Sequence, residues 1–406
     1  MSHVIVIGAG ITGVTTAYAL LRAGHAVSVL ERHPYAALET SFANGGQLSA
    51  SNAEVWNQWS NVAHGLQWIF TRSAPLLLNP KPSWHKMSWL AEFIGAIGKY
   101  EPNTIETVRL ALAARRRLFE IAEAEGIDFD LAKRGLLHVY RDTASLAHAR
   151  AANALLARGG LERTEVTPAE IRAIEPALAG TFEGGFFTPG DASGDICRFT
   201  RGLAEACERL GGRFQFATQV DALRDTPRGV AVDWSGAEDP AVRGTLEADN
   251  LVICAGVGSR QLAALTGERL NVYPVKGYSI TVAVKPQDVD HAPRVALLDD
   301  AAKIVTSRFG DARFRIAGTA ELNGYNRDVR ADRIAPLLAW TRRHFPHLDT
   351  SDVTVWAGLR PMLPDMLPRV GPSRRSKRIF YNTGHGHLGW TLSCATADLV
   401  AAQMAA

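Results

Sequence analysis

The chain has 406 residues, 47% of them hydrophobic and 21% charged, with 44 basic against 41 acidic side chains and a formal charge of +3. This is globular composition at a length that favours two or three domain-sized units, and it excludes disordered, collagen-like and coiled-coil chains. A total so near neutrality does not mark a nucleic-acid binder.

Val4-Ile5-Val6-Ile7 is a β-branched run that predicts a strand buried on both faces. Gly8-Ala9-Gly10-Ile11-Thr12-Gly13 follows at once and reads GxGxxG. Val14, Ala17, Tyr18 and Leu21 then recur at helical spacing, and Gly24 supplies a stop. Val27–Leu30 predicts a second strand, with Glu31 at its end. Each part has a physical task. Gly8 permits a tight turn, Gly10 lets a pyrophosphate reach the backbone, and Gly13 lets helix and strand pack closely. The amides at the helix start attract phosphate, and Glu31 can accept hydrogen bonds from ribose hydroxyls. Strand, turn, helix and acid in this order predict dinucleotide binding, but the fingerprint does not separate NAD from FAD.

Glu39–Ser49 is small and polar, and its paired glycines suit a loop lying against a flat ring. Trp56, Trp59, Trp68, Trp84 and Trp89 put five of nine tryptophans into 34 residues. Ile69-Phe70, Leu76-Leu77-Leu78, Arg72, Lys81 and Lys86 are interleaved with them. This mixture suits either a peripheral membrane surface or a helical subdomain packed on the rest of the chain. Thr104 is the expected N-cap of a long helix with Val108, Leu112, Leu118, Ile121 and Ala122 as its apolar stripe. Arg115-Arg116-Arg117 on that helix reads as a solvated face.

Thr200–Leu210 is helical in pattern, and Arg213-Phe214-Gln215-Phe216 follows it. Leu251–Ser259 is a buried strand ending in a glycine turn. Trp356–Pro361 precedes Pro364-Asp365, and Asn382–Trp390 opens the last helix. His385 and His387 flank Gly386 with no carboxylate or cysteine beside them, so no metal site is expected. The four cysteines contain no CxxC pair, which points to a reducing compartment. No apolar run reaches the roughly 18–20 residues that span a bilayer, and the N-terminus has no signal-type pattern.

Taken together, Glu39–Ser49, Leu251–Ser259, Trp356–Pro361 with Pro364-Asp365, and Asn382–Trp390 strongly resemble the FAD-dependent D-amino-acid oxidase superfamily. Within it the chain is most similar to the D-amino-acid dehydrogenase small-subunit family, over almost its whole length, and Ala36–Ser49, Tyr273-Pro274-Val275-Lys276-Gly277-Tyr278-Ser279 and Gly384–Trp390 carry that narrower resemblance. The resemblance implies a mixed α/β (α+β) fold. A discontinuous Rossmann-like FAD-binding domain would take residues 1–54, 191–269 and 351–406. A substrate-binding domain of mixed sheet plus helices would take 55–190 and 270–350.

It also implies FAD contacts. From the N-terminal unit these are Val6, Gly8, Gly10, Ile11, Thr12, Gly13, Glu31 and Arg32. From the following loop they are Ser41, Asn44, Gly45, Gly46, Gln47 and Leu48. The middle piece adds Cys254, Ala255, Gly256 and Val220, whose backbone would meet the adenine. Gly384, His385, Gly386, His387, Leu388 and Gly389 would meet the flavin, through backbone rather than histidine acid–base chemistry. Arg360 would clamp a substrate carboxylate, because its planar fork pairs both oxygens. Tyr278 and Tyr325 would cap the site.

The implied reaction is oxidative deamination of a D-amino acid to a 2-oxo acid and ammonium, in bacterial amino-acid catabolism. Hydride would go to flavin N5, and electrons to a respiratory quinone or another non-oxygen acceptor. The implied location is the cytoplasm or the cytoplasmic face of the inner membrane, as a peripheral protein. Three alternatives remain. One is a D-proline or hydroxy-D-proline dehydrogenase. Another is a glycine- or sarcosine-type oxidase that makes peroxide. The third is a flavin module acting on RNA, for which the sequence shows no basic stripe.

Overall fold

The N-terminal run forms the strand His3–Ile7, central in a six-stranded sheet, in a computed structural model that describes residues 1–68 and 75–405. The strand order is Arg369–Pro372, Ile379–Thr383, Asn250–Ile253, His3–Ile7, Ala26–Leu30 and Arg213–Gln215. All neighbours are parallel except the first pair. Strand alternation divides the central strand between two cores. Val4 and Val6 pack with the helices Ile11–Arg22, Ile196–Arg209 and Gly389–Ala405. Ile5 and Ile7 pack with Val220, Leu223 and Val232 from a three-stranded antiparallel sheet, Thr218–Thr226, Gly229–Gly236 and Arg243–Ala248.

A second, mixed sheet has nine strands. Eight run in the order Val353–Met362, Tyr273–Ala283, Arg313–Leu322, Ile304–Phe309, Ala296–Asp299, Leu136–Tyr140, Gly184–Thr188 and Thr164–Val166, and Leu76–Leu78 pairs with Arg313–Leu322. The helix Ala331–His344 covers one face, where Tyr278, Ile280, Ile316, Leu337 and Trp340 share a core. The expected division at residue 351 needs moving. Residues 353–362 pair along the length of Tyr273–Val282, so hydrogen bonding ties this strand to the larger sheet.

Two further expectations are corrected. The long helix is Tyr100–Glu125, so Thr104 lies buried inside it rather than capping it. Pro102 in the first turn explains the earlier start, since its missing N–H falls where no intrahelical partner exists. Nor is the three-arginine run simply solvated. Arg115 pairs with the buried Asp191 at 2.5 Å, and Arg117 pairs with Glu120 and Asp398, each at 3.3 Å.

The tryptophan-rich segment is split. Trp89 is buried and donates to the Met362 carbonyl at 2.9 Å, whereas Trp59 and Trp84 are 65% and 82% exposed. Ile69, Phe70 and Arg72 lie outside the described residues, as does the side chain of Trp68. Among the described residues no helix is long and apolar enough to cross a membrane.

Candidate active site

A cavity of about 1410 Å³ is walled by elements of both large sheets. That exceeds the ~300–1,000 Å³ of drug-sized ligand sites, as a dinucleotide plus a substrate requires. At its N-terminal end, Gly8 turns the chain with φ +104°, and a Cβ there would lie 2.8 Å from the Cys254 carbonyl oxygen. A Cβ on Gly13 would sit 1.8 Å from the Gly8 oxygen, so this glycine is needed for helix-on-strand packing. Gly10 differs: its Cβ would meet only Ser41 Oγ, at 3.5 Å, and would project into cavity space. Gly10 caps Ile11–Arg22 without a side-chain hydrogen bond, and Ser41 Oγ accepts from the Ile11 amide at 3.0 Å. The remaining first-turn amides have no intrahelical acceptor and suit a phosphate. Glu31 is held beside them, accepting from the amides of Ala9 (2.7 Å) and His33 (2.9 Å).

Most residues expected at the cofactor line this cavity. They are Gly8, Gly10, Ile11, Thr12, Glu31, Arg32, Ser41, Asn44, Gly45, Gly46, Gln47, Val220, Cys254, Ala255, Gly256, Gly384, His385, Gly386, His387, Leu388 and Gly389. Val6, Gly13 and Leu48 do not; they support the wall from behind. The loop glycines have an unexpected task. A Cβ on Gly45 would meet Val305 at 2.7 Å, and one on Gly46 would meet Phe309 at 2.5 Å, so both let the loop press onto the second sheet. Asn44 Oδ1 is occupied by the Gly46 amide (2.9 Å). The Gln47 amide donates to the carbonyls of Leu297 and Thr306, leaving its buried Oε1 without a partner among the described residues. His387 Nδ1 and Trp390 Nε1, on two further lining residues, are likewise buried and unpartnered. A glycine cradle, an acid at the ribose position and unanswered polar atoms fit FAD, whose nucleotide would lie at Gly8–Gly13 and Glu31 and whose ring system would lie toward Gly384–Gly389.

The other end of the cavity is built on the Tyr273–Ala283 and Val353–Met362 strands. Arg360 lies opposite Val275, and its guanidinium passes over Gly277, where a Cβ would come within 2.3–2.4 Å of it. A strand-interior glycine is the sequence signal for such an approach. Arg360 is half-buried and donates to the Thr319 carbonyl at 3.3 Å, with no carboxylate partner among the described residues. Burial lowers its pKa to about 10, which leaves it charged at neutral pH.

The expected tyrosines fare differently. Tyr325 lines the cavity, is 39% exposed and directs its hydroxyl toward the Val257 carbonyl at 3.4 Å. Tyr278 also borders the cavity, but its ring is buried in the core and its hydroxyl donates to Glu321 at 2.6 Å, so that group is already committed. The histidines are neutral structural groups. His385 Nε2 is bound to Thr396 Oγ1 (3.0 Å), and burial pulls its pKa down to about 3. His387 Nε2 donates to the Asn52 carbonyl (3.1 Å), and its ring stacks on Trp56 at 4.7 Å. Burial, then the charge of Arg360, lowers its pKa to about 4.

Sequence reasoning missed several members. Asp191, fully buried, receives the amides of Ala50 (3.0 Å) and Ser51 (3.1 Å) as well as Arg115, and so fixes the 49–52 turn. Ser51 in turn meets His138 at 2.9 Å on the cavity wall. These partners are 76 to 141 residues apart in the chain, and no local pattern signals them.

Comparison with known proteins agrees with this geometry. The FAD dependent oxidoreductase family model, DAO, matches residues 3–403. A protein of Mesorhizobium japonicum named D-amino acid dehydrogenase 3 is 57% identical, over 100% of this chain and 97% of its own. A D-amino acid dehydrogenase of Paramagnetospirillum magneticum is 41% identical over 98% and 94%. Glycine oxidase from Geobacillus kaustophilus has a similar structure, with TM-score 0.78 and 23% identity over 100% of this chain and 95% of that one. L-Proline dehydrogenase from P. horikoshii gives 0.74 and 16% over 99% and 93%. Those two likenesses speak to the fold; the matched family model and the 57% identity show that this chain belongs to the DAO family of FAD-dependent oxidoreductases.

Proposed function

We propose that the chain oxidises D-amino acids to 2-oxo acids and ammonium as a dehydrogenase. The observation that carries this reading is Arg360, a charged guanidinium at the cavity with no carboxylate partner among the described residues. A half-buried unpaired cation is costly, and a substrate carboxylate in bidentate contact would offset that cost. The names of the relatives in Mesorhizobium and Paramagnetospirillum support the D-amino-acid class.

In this reading Arg360 binds and orients the carboxylate, and Gly277 leaves room for the guanidinium. FAD supplies the hydride acceptor when bound. His387, neutral at pH 7, puts no second cation beside the substrate ammonium. The substrate loses a hydride from Cα and a proton from its amine, and water hydrolyses the resulting imine. The flavin-binding pieces are 1–54, 191–269 and the chain after residue 362; the larger sheet and its helices form the substrate side. The deciding experiment is anaerobic titration of the yellow protein with D- and L-amino acids. Bleaching by D-amino acids without stoichiometric peroxide in air is expected; if no D-amino acid bleaches the flavin, the proposal fails.

The electron acceptor in this reading is a quinone or another non-oxygen acceptor reached at a membrane surface. Trp84, Met87 and Ile94 are exposed on the helix Trp84–Gly95, and Trp59 is exposed at the start of the helix Trp59–Trp68. Aromatic and apolar side chains of this kind suit interfacial attachment. The FAD-loaded protein should co-sediment with anionic lipid vesicles. Trp84→Ser combined with Met87→Ser should weaken that binding about tenfold, given what burying such side chains contributes. Equal sedimentation of both proteins would remove the membrane from the scheme.

A further inference from the structure

The strand Tyr273–Ala283 carries side chains to two faces. Gly277 lies under Arg360 on the cavity face. Its neighbours Lys276 and Tyr278 point the other way, as strand alternation requires. Lys276 is fully buried. A buried ammonium is tolerated only when its three N–H donors are answered. Here Nζ meets Glu321 Oε2 at 3.1 Å, Asn326 Oδ1 at 2.7 Å and the Asp328 carbonyl at 3.1 Å. Glu321 is itself fixed by the Tyr278 hydroxyl (2.6 Å) and by Arg330 (3.2 Å).

Two of the three lysine contacts therefore go to the loop between the strand Arg313–Leu322 and the helix Ala331–His344. That loop carries Tyr325 and Arg327, both lining the cavity. Tyr325 reaches toward the Val257 carbonyl, and Arg327 pairs with Glu39 at 2.6 Å. Glu39 belongs to the segment that follows Glu31 and also holds Arg32 and His33. The loop is thus tied on its inner side to Lys276 and on its outer side to two segments of the nucleotide half.

We infer that Lys276 is a positioning residue that holds the 323–330 loop as a strap across the cavity, so that Tyr325 and Arg327 retain substrate over Arg360. The inference rests on the D-amino-acid reading for its kinetic arm alone. Two variants test it in the FAD-loaded enzyme: Lys276→Met, and Asn326→Ala, which removes a loop acceptor and leaves the sheet untouched. Amide hydrogen exchange in residues 323–330 should quicken about tenfold in both, as for a loop losing its anchor. KM for a bleaching D-amino acid should rise on the order of tenfold, with kcat changed far less and the flavin spectrum retained.

If Lys276→Met does not fold, Asn326→Ala decides alone. Unchanged exchange overturns the strap, and faster exchange with unchanged KM overturns its role in holding substrate. Loss of flavin with exchange unaltered would make Lys276 a structural cation and also overturn it. Should no D-amino acid reduce the wild-type flavin, the functional reading fails, and exchange alone then judges the loop.

Discussion

Replacing Arg360 by Met should lower kcat/KM for D-amino acids by roughly 10²–10³-fold while the protein stays yellow. The size follows from the environment of the guanidinium. Removing one member of a desolvated charge pair costs about 2–5 kcal/mol. Arg360 is in such a position, because its one protein acceptor is the Thr319 carbonyl and it has no carboxylate partner among the described residues. Most of the effect should fall on KM, since the carboxylate is held in both ground and transition states. FAD should remain, because the nucleotide end at Gly8, Gly10 and Glu31 does not include Arg360. Gly277→Ala offers an independent check. Its Cβ would displace the guanidinium, so it should reproduce part of the loss with the charge still present. If kcat/KM of the Met variant stays within about threefold of wild type, the carboxylate clamp lies elsewhere.

The two glycine motifs show how much of this was legible. At Gly8–Gly13 the sequence carries its own context, because strand, turn and helix are contiguous. The packing tasks of Gly8 and Gly13 could be read there residue by residue. At Gly45–Gly46 part of the demand for glycine was hidden, since the atoms that a Cβ would strike belong to Val305 and Phe309. Those side chains are more than 250 residues away along the chain, and local pattern carries no trace of them. Tyr278 borders the cavity, but its hydroxyl is taken by Glu321, 43 residues further along the chain, and no local pattern signals that partner. The place of Arg360 on the cavity wall was legible from its motif, and the chemistry of a carboxylate clamp is what makes it the proposed substrate arginine. What remained hidden are long-range polar partners such as Asp191 with the 49–52 turn, and Lys276 with its loop.

Acidification from pH 7 to pH 5 should destabilise the FAD-loaded protein through its buried histidines. His385 and His387 are neutral in the fold, their pKa values pulled down to about 3 and about 4 by burial. In the unfolded chain each binds a proton near pH 6.5. Below that value the unfolded state takes up protons that the folded state refuses, so stability falls as pH falls. At pH 5 this amounts to about 2 kcal/mol for each of the two residues. His138 is depressed by the same burial and adds to the loss in the same direction. The contribution of His387 levels off near pH 4, where it is half protonated in the fold as well, and that of His385 near pH 3. Most carboxylates change charge below this window, so the interval from pH 6.5 to 5 isolates the histidines. For a chain of this length, the two residues should lower Tm by roughly 5 °C between pH 7 and 5. His387→Gln should be less stable at pH 7, because it loses the stack on Trp56, yet its Tm should fall less steeply with acid. Parallel Tm profiles for the variant and the wild type would show that His387 takes up a proton within the fold and does not carry this dependence.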